Sequence, residues 1–265
     1  MSIFVIAEAG VNHQGDMRTA EHLIVAAKRA GADAVKFQLF DAKILGRPEL
    51  EPLQFSLQQM ADLKAYADRQ QIEFMCTPFH SEGVLDLAAI GVKRLKISSG
   101  CIKDKALLRM AAESKLPVIL STGMSTVADI REALDLLGYH FPYKYDQHRT
   151  LLHCTSAYPC PISEVNLKAM ETLRHYFSPR CDIGYSDHTQ GITVAIAAAA
   201  VGAQVIEKHL TLDRVMDGPD HVASIEPDEF RVMVSAIHTV EEALGSDHKV
   251  PQPSEAETRR IWGRL

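Results

Sequence analysis

Residues 19–40, TAEHLIVAAKRAGADAVKFQLF, hold one complete passage from helix to strand. Apolar residues recur at helical spacing from Thr19, and Gly31 stops the helix. Ala34–Phe40 is then a short apolar run of strand length, with Lys36 and Gln38 inside it. Working outward, the same unit repeats. Strand-like runs fall at Ile3–Ala9, Ala34–Phe40, Glu73–Pro78, Arg94–Ser98, Pro117–Thr122, Thr150–Thr155, Asp182–Ser186 and Val205–Leu210. Helical patterns lie between them, at about 53–70, 81–90, 104–115, 126–138, 164–177, 189–201 and 227–244. Eight strand–helix units within residues 1–245 have the count and size of an α/β fold, the (β/α)8 TIM barrel. The runs are nearly continuous in apolar residues, as parallel strands buried on both faces should be. The competing arrangement is an open doubly wound sheet. No G-x-G-x-x-G follows the first strand, which argues against its dinucleotide-binding version.

The 265 residues are 46% hydrophobic and 23% charged, which suits one large domain or two small ones. A net charge of -6 gives no electrostatic reason to expect nucleic acid or a membrane surface as partner. The N-terminus has no basic leader, and Glu8 interrupts its apolar run. The longest apolar stretch, Ile192–Ala203, is too short to span a bilayer. The five cysteines form no Cys-x-x-Cys pair, which argues against a disulfide framework or a four-thiolate zinc site. A cytoplasmic location is the expectation. Residues 41–52 and 139–149 read as longer linkers. Residues 246–265, with two prolines and the only tryptophan, read as a C-terminal arm or truncated linker.

In a barrel, chemistry sits at the C-terminal ends of the strands. Those ends carry Glu8 with Asn12 and His13; Lys36 and Gln38; Thr77; Lys96, Ser98 and Ser99; Ser121 to Gly123; His153, Ser156 and Tyr158; Ser186 to His188; and Glu207 to His209. An unpaired ammonium inside an apolar run is costly. Lys36 and Lys96 therefore call for a bound anion, or for a salt bridge to a neighbouring carboxylate such as Glu8. The hydroxyls of Ser99, Ser121 and Ser186, beside Gly100 and Gly123, suit a phosphate. His188 and His209 end consecutive strands, about 4.8 Å apart. Two neutral imidazoles plus water or substrate oxygens suit Mn2+, Fe2+, Co2+ or Zn2+. His13 and His153 are weaker metal candidates. His22, His80, His140, His148, His175, His221, His238 and His248 read as surface or helix residues.

In chain order, IAEAGVNHQGD, AAKRAGADAVKFQLF, FMCTPF, LKISSG, ILSTGM, LHCTSAYP, GYSDHTQG, IEKHLT and DGPDH resemble the N-acetylneuraminate (sialic acid) synthase family. Related members of it make pseudaminic and legionaminic acids. The likeness spans residues 3–245. It implies a (β/α)8 barrel that condenses phosphoenolpyruvate with an open-chain N-acetyl amino sugar, assisted by Mn2+ or Mg2+. The enol C3 attacks the sugar aldehyde, water adds at C2, and phosphate leaves with cleavage of its C–O bond. By this resemblance His188 and His209 hold the metal, and Lys36, Lys96, Ser99, Ser121 and Ser186 hold phosphoenolpyruvate. Gln38, Tyr158 and Asp220 face the sugar or support the metal, as does Glu8. Glu8, Lys96, Cys101 and Asp187 are the candidate catalytic groups, and Ser156 a further substrate contact.

Three departures from the family pattern bear on function. Cys101 stands where the family usually has an acidic residue, and a thiol lacks a carboxylate's charge unless ionised. Ser156 stands where sialic acid synthases commonly have Asn. The family normally continues into a small antifreeze-like domain, which supplies an arginine to the sugar across a domain-swapped dimer. These departures keep two alternatives open: a different aldehyde acceptor, or an anion-binding barrel without turnover. They also leave as expected partners a second copy of the chain and a separate antifreeze-like protein.

Overall fold

The computed structural model describes residues 2–138 and 149–263. The loop expected at 139–149, with His140 and His148, lies outside the described residues except for Arg149. Eight parallel strands form one sheet: β1 (Phe4–Gly10), β2 (Ala34–Leu39), β3 (Glu73–Pro78), β4 (Leu95–Ile97), β5 (Val118–Ser121), β6 (Arg149–His153), β7 (Asp182–Asp187) and β8 (Val205–His209). The order β3-β2-β1-β8-β7-β6-β5-β4 joins the first strand to the last, so the sheet curls into a barrel. Among the described residues no ladder joins β3 to β4, which meet side by side. At the lower end of that seam the Arg94 guanidinium donates to both oxygens of Glu73, at 2.7 and 3.2 Å, and lies 4.6 Å above the Phe4 ring.

The helices α1 (Met17–Arg29), α2 (Leu57–Arg69), α3 (Ser81–Ala89), α4 (Lys105–Glu113), α5 (Val127–Leu136), α6 (Ala169–Phe177), α7 (Thr193–Ala200) and α8 (Pro227–Leu244) connect or follow the strands. Several strand-to-helix passages are fixed by side-chain caps. The Asp16 carboxylate accepts from the Thr19 N–H to start α1, and Ser56 with Gln59 forms a capping box on α2. The return turn from α1 to β2 needs a left-handed residue, and Gly31 supplies it at φ +87. Helix starts differ most from the sequence expectation. The pattern at 53–70 narrows to α2, whose start the Ser56 cap fixes, and a 3-10 turn over Pro48–Leu53 precedes it. That at 164–177 narrows to α6, preceded by a 3-10 turn over Ile162–Glu164.

Packing separates into two shells. The outward strand faces and the inner helix faces form the main core, with Val5, Leu23, Val35, Phe37, Leu63, Leu107 and Ile183 among its members. Inside the barrel, Ile6, Ala34, Met75, Ile119, Leu152 and Val205 form a separate apolar layer. Side chains along a strand alternate faces, so the residues two positions further on share the interior. They are Glu8, Lys36, Thr77, Ser121, Cys154 and Glu207. An apolar floor thus lies directly beneath a polar layer at the C-terminal mouth. The tail forms a short helix, α9 (Ala256–Trp262), and every described residue from 246 to 263 is exposed. Among the described residues no helix is long and apolar enough to cross a membrane.

Candidate active site

The mouth holds a small polar cavity of about 70 Å³. Its walls include Glu8, Lys36, Gln38, Lys96, Ser99, Ser121, Tyr158, Ser186, His188, His209 and Asp220, all anticipated from the sequence. Thr77, Ser98 and Glu207, which the sequence places among the polar strand ends, also line it, as does Phe79, which the sequence does not single out. Glu207 lies two residues before His209 on β8, hence on the same face, which could have given its role as counter-ion.

Glu207 organises the charges. Its carboxylate lies 3.2 Å from the Lys96 ammonium and 3.6 Å from that of Lys36, and accepts from the Ser186 hydroxyl at 2.8 Å. Lys36 also pairs closely with Glu8. The salt-bridge alternative for the lysines is therefore realised. Burial alone would raise both carboxyls. For Glu207, Lys36 and Lys96 outweigh burial and hold it below the usual carboxylate range. For Glu8, burial prevails over Lys36, and repulsion by Glu207 adds to it, so its pKa is raised. Burial would lower Lys36, but Glu207 and Glu8 together raise it. The result is a firmly charged lysine beside one carboxylate held ionised and one drawn toward its neutral form.

His188 and His209 adjoin this cluster, their ring centroids 5.7 Å apart. Burial pushes both down to about 4, so both are neutral near pH 7. The Nδ1 of His188 lies 2.7 Å from the Thr155 carbonyl and donates to it, which leaves an Nε2 lone pair beside the Ser186 hydroxyl. The Nδ1 of His209 and the hydroxyl of Ser121 are buried without a hydrogen-bond partner among the described residues. The Asp220 carboxylate approaches His209 Nδ1 at 3.9 Å. An unpartnered His209 Nδ1 together with the His188 Nε2 lone pair fits a divalent cation completed by substrate or water oxygens. Among the described residues no three metal-ligating side chains converge. The Tyr158 ring covers both histidines, 4.1 Å from His188 and 5.7 Å from His209.

Cys101, Ser156 and Asp187 do not line the cavity. Cys101 ends a 3-10 turn and packs in the main core at 7% exposure. Burial pushes its thiol up to about 11, so it carries no charge near neutral pH. Ser156 stands beside Gly123, where an added Cβ would come within 2.3 Å of its hydroxyl. The Gly123 N–H donates to Ser99 Oγ at 2.9 Å, so the missing side chain lets three strand ends close on each other.

Asp187 faces the opposite side from Ser186 and His188, because successive strand residues alternate. It accepts from Lys208 at 2.9 Å and from the backbone and hydroxyl of Thr189, at 3.0 and 2.8 Å. With Lys208, it forms a fully buried ion pair behind the barrel wall, not a group at the mouth. The weaker metal candidates also lie elsewhere: His13 stacks on Phe55 at 4.0 Å, and His153 Nε2 donates to the Val165 carbonyl at 2.8 Å. His221, read as a surface or helix residue, opens a 3-10 turn and is buried, with Nδ1 2.7 Å from the Thr211 hydroxyl.

Known proteins resemble the chain in both sequence and structure. The model of the NeuB family matches residues 48–249. The N,N'-diacetyllegionaminic acid synthase of Legionella pneumophila is 42% identical over 284 positions, covering 100% of this chain and 79% of the relative. Human N-acetylneuraminate-9-phosphate synthase is 35% identical over 280 positions, covering 98% and 76%. The structure of N-acetylneuraminic acid (sialic acid) synthetase from Leptospira borgpetersenii serovar Hardjo-bovis, in complex with citrate, superposes with a TM-score of 0.90. The identity is 36%, over 100% of this chain and 94% of that one. The family model spans most of the barrel, the relatives span the whole of it with its polar mouth, and the chain belongs to the NeuB family.

Proposed function

We propose that this barrel condenses phosphoenolpyruvate with an open-chain N-acetylated amino-sugar aldehyde, yielding a nonulosonic acid and phosphate. The observation that carries this reading is the Lys36–Lys96–Glu207–Glu8 cluster beside two neutral histidines at one mouth. Lys36 and Lys96 take the anionic groups of phosphoenolpyruvate, with the free Ser121 hydroxyl donating to an oxygen. As the anion arrives it replaces Glu8 as counter-ion to Lys36. Glu8, already drawn toward its protonated form, then hands a proton to the aldehyde oxygen as the enol C3 attacks it. Glu207 stays ionised and keeps the Lys36 ammonium charged. Water adds at C2, the C–O bond to phosphate breaks, and the ketone forms. A divalent ion held by His188 and His209 would supply Lewis-acid polarisation of the aldehyde. Mn2+ and Mg2+ come first, and the imidazole donors also suit Zn2+ or Co2+.

Relatives at 42% and 44% identity are N,N'-diacetyllegionaminic acid synthases. Removing the three carbons of phosphoenolpyruvate from that product leaves a six-carbon diacetamido aldehyde, and we place this acceptor ahead of N-acetylmannosamine. The test is phosphate release from phosphoenolpyruvate by purified protein with Mn2+ and a panel of aldehyde sugars containing both. Activity should vanish with a chelator and return with added Mn2+. Silence with every sugar rules the reading out.

One observation favours a second reading, an anion-binding barrel without turnover: an uncharged Cys101 stands where the resemblance expects an acidic group. Calorimetric binding of phosphoenolpyruvate with no phosphate released would support it.

A further inference from the structure

A second cavity, of about 430 Å³, opens beside the first. Gln38, Phe79 and Asp220 line both cavities, so they form the threshold between them. The catalytic cavity, at about 70 Å³, is far below the roughly 300–1,000 Å³ that encloses a drug-sized ligand. It has room for the anion and the reacting carbons, and the rest of a six-carbon acceptor must lie elsewhere. The adjoining chamber is the right size and is continuous with the reacting end.

Its chemistry differs from that of the mouth. The walls are Val11, Phe40, Leu45 and Leu50 with Phe79. Val11, Phe40, Leu45 and Leu50 belong to a small apolar cluster of their own, and Phe79 packs against both it and the main core. Phe40 and Phe79 meet edge to face, with centroids 6.4 Å apart. The wall is pre-formed by local bonds. Asp41 Oδ1 accepts from the N–H groups of Lys43 and Ile44, and the Ala42 N–H donates to Gln54 at 2.9 Å. The 3-10 turn over Pro48–Leu53 then carries Leu50. Among the lining residues Arg47 is the cation, and its exposed guanidinium is already paired with Glu49. Asp220 adds a carboxylate at the threshold. A terminal phosphate would thus meet an apolar wall, an anion and a guanidinium already engaged.

We infer that this chamber receives the distal half of the acceptor, and that it selects an apolar ending: a deoxy methyl group with a second acetamido group. The inference rests on the proposed condensation, whose reacting end it extends. Gln38 and Asp220 hydrogen-bond the sugar hydroxyls at the threshold, while the methyl groups pack on Leu45, Leu50 and Phe40. Filling an apolar pocket with a methyl group discriminates by about 10- to 200-fold.

The test uses alditols, which keep the distal half but lack the reacting aldehyde. Calorimetry with phosphoenolpyruvate present measures the alditols of 2,4-diacetamido-2,4,6-trideoxymannose and of N-acetylmannosamine. The diacetamido alditol should bind at least about tenfold more tightly. Leu50→Asn and Leu45→Asn, each checked for a native melting transition, should bring that ratio toward unity. Equal affinities in the wild type, no binding of either alditol, or a ratio unchanged in both folded variants would overturn the inference. Because no turnover is needed, failure of phosphate release would count against the condensation, while the alditol ratio alone decides the chamber.

Discussion

At the residue scale, Lys96 and Asp187 show how one strand period separates binding from support. Lys96 lies over the apolar floor with Glu207 as its counter-ion. Lys96→Met should raise the KM for phosphoenolpyruvate by about 10- to 100-fold, the worth of a charged hydrogen bond. Steady-state kinetics at saturating acceptor checks this. Asp187 is buried with Lys208 behind the wall. Asp187→Ala strands that ammonium and should cost about 3–5 kcal/mol of stability, read by urea denaturation. The folded fraction should keep the wild-type KM for phosphoenolpyruvate. An unchanged urea midpoint with abolished turnover would instead make Asp187 catalytic. Much of the mouth was legible because lysines and paired histidines are conspicuous inside apolar strands. Asp187 was misplaced because neighbours in sequence were read together, although alternation puts Ser186 and Asp187 on opposite faces. Glu207 was placed at the mouth without its role as shared counter-ion, since its tie to His209 skips a residue. The burial of Cys101 depends on a 3-10 turn that its short sequence does not announce.

At the element scale, the strands were the most legible parts, because a strand buried on both faces leaves a dense apolar run. Helix starts were less so, since prolines and capping residues, not periodicity, decide them. The seam between β3 and β4 was not legible at all. It depends on β4 being only three residues long and on the fork from Arg94 to Glu73. Arg94→Met removes that fork and its contact with Phe4. The effect on global stability should be small, about 1 kcal/mol, because the guanidinium is partly exposed. Hydrogen exchange should nevertheless quicken in β3 and β4 more than in β1 and β8. Uniform protection across all strands would show that other contacts close the barrel.

At the scale of the whole molecule, the buried imidazoles set an acid limit. Burial pushes His13, His188 and His209 down to about 4, from an ordinary 6.5. The folded protein holds them neutral, and the unfolded chain binds protons first as pH falls. Their contribution is therefore complete above pH 6.5 and is lost progressively toward pH 4. His13→Gln removes one of the three and should make the melting temperature fall less steeply between pH 7 and pH 5 than in the wild type. An equally steep fall would assign the acid sensitivity to other groups. The same barrel that buries these rings brings eight strand ends to one mouth, and the proposed chemistry stands on that convergence. The most direct measurement follows phosphoenolpyruvate labelled with 18O in its bridging oxygen, incubated with the diacetamido aldehyde and Mn2+. Phosphate carrying the label should appear in equal amount with a nonulosonic acid whose ketone oxygen is unlabelled, and Lys96→Met should suppress both together. Phosphate without the nine-carbon product, or label retained in the product, would contradict the account.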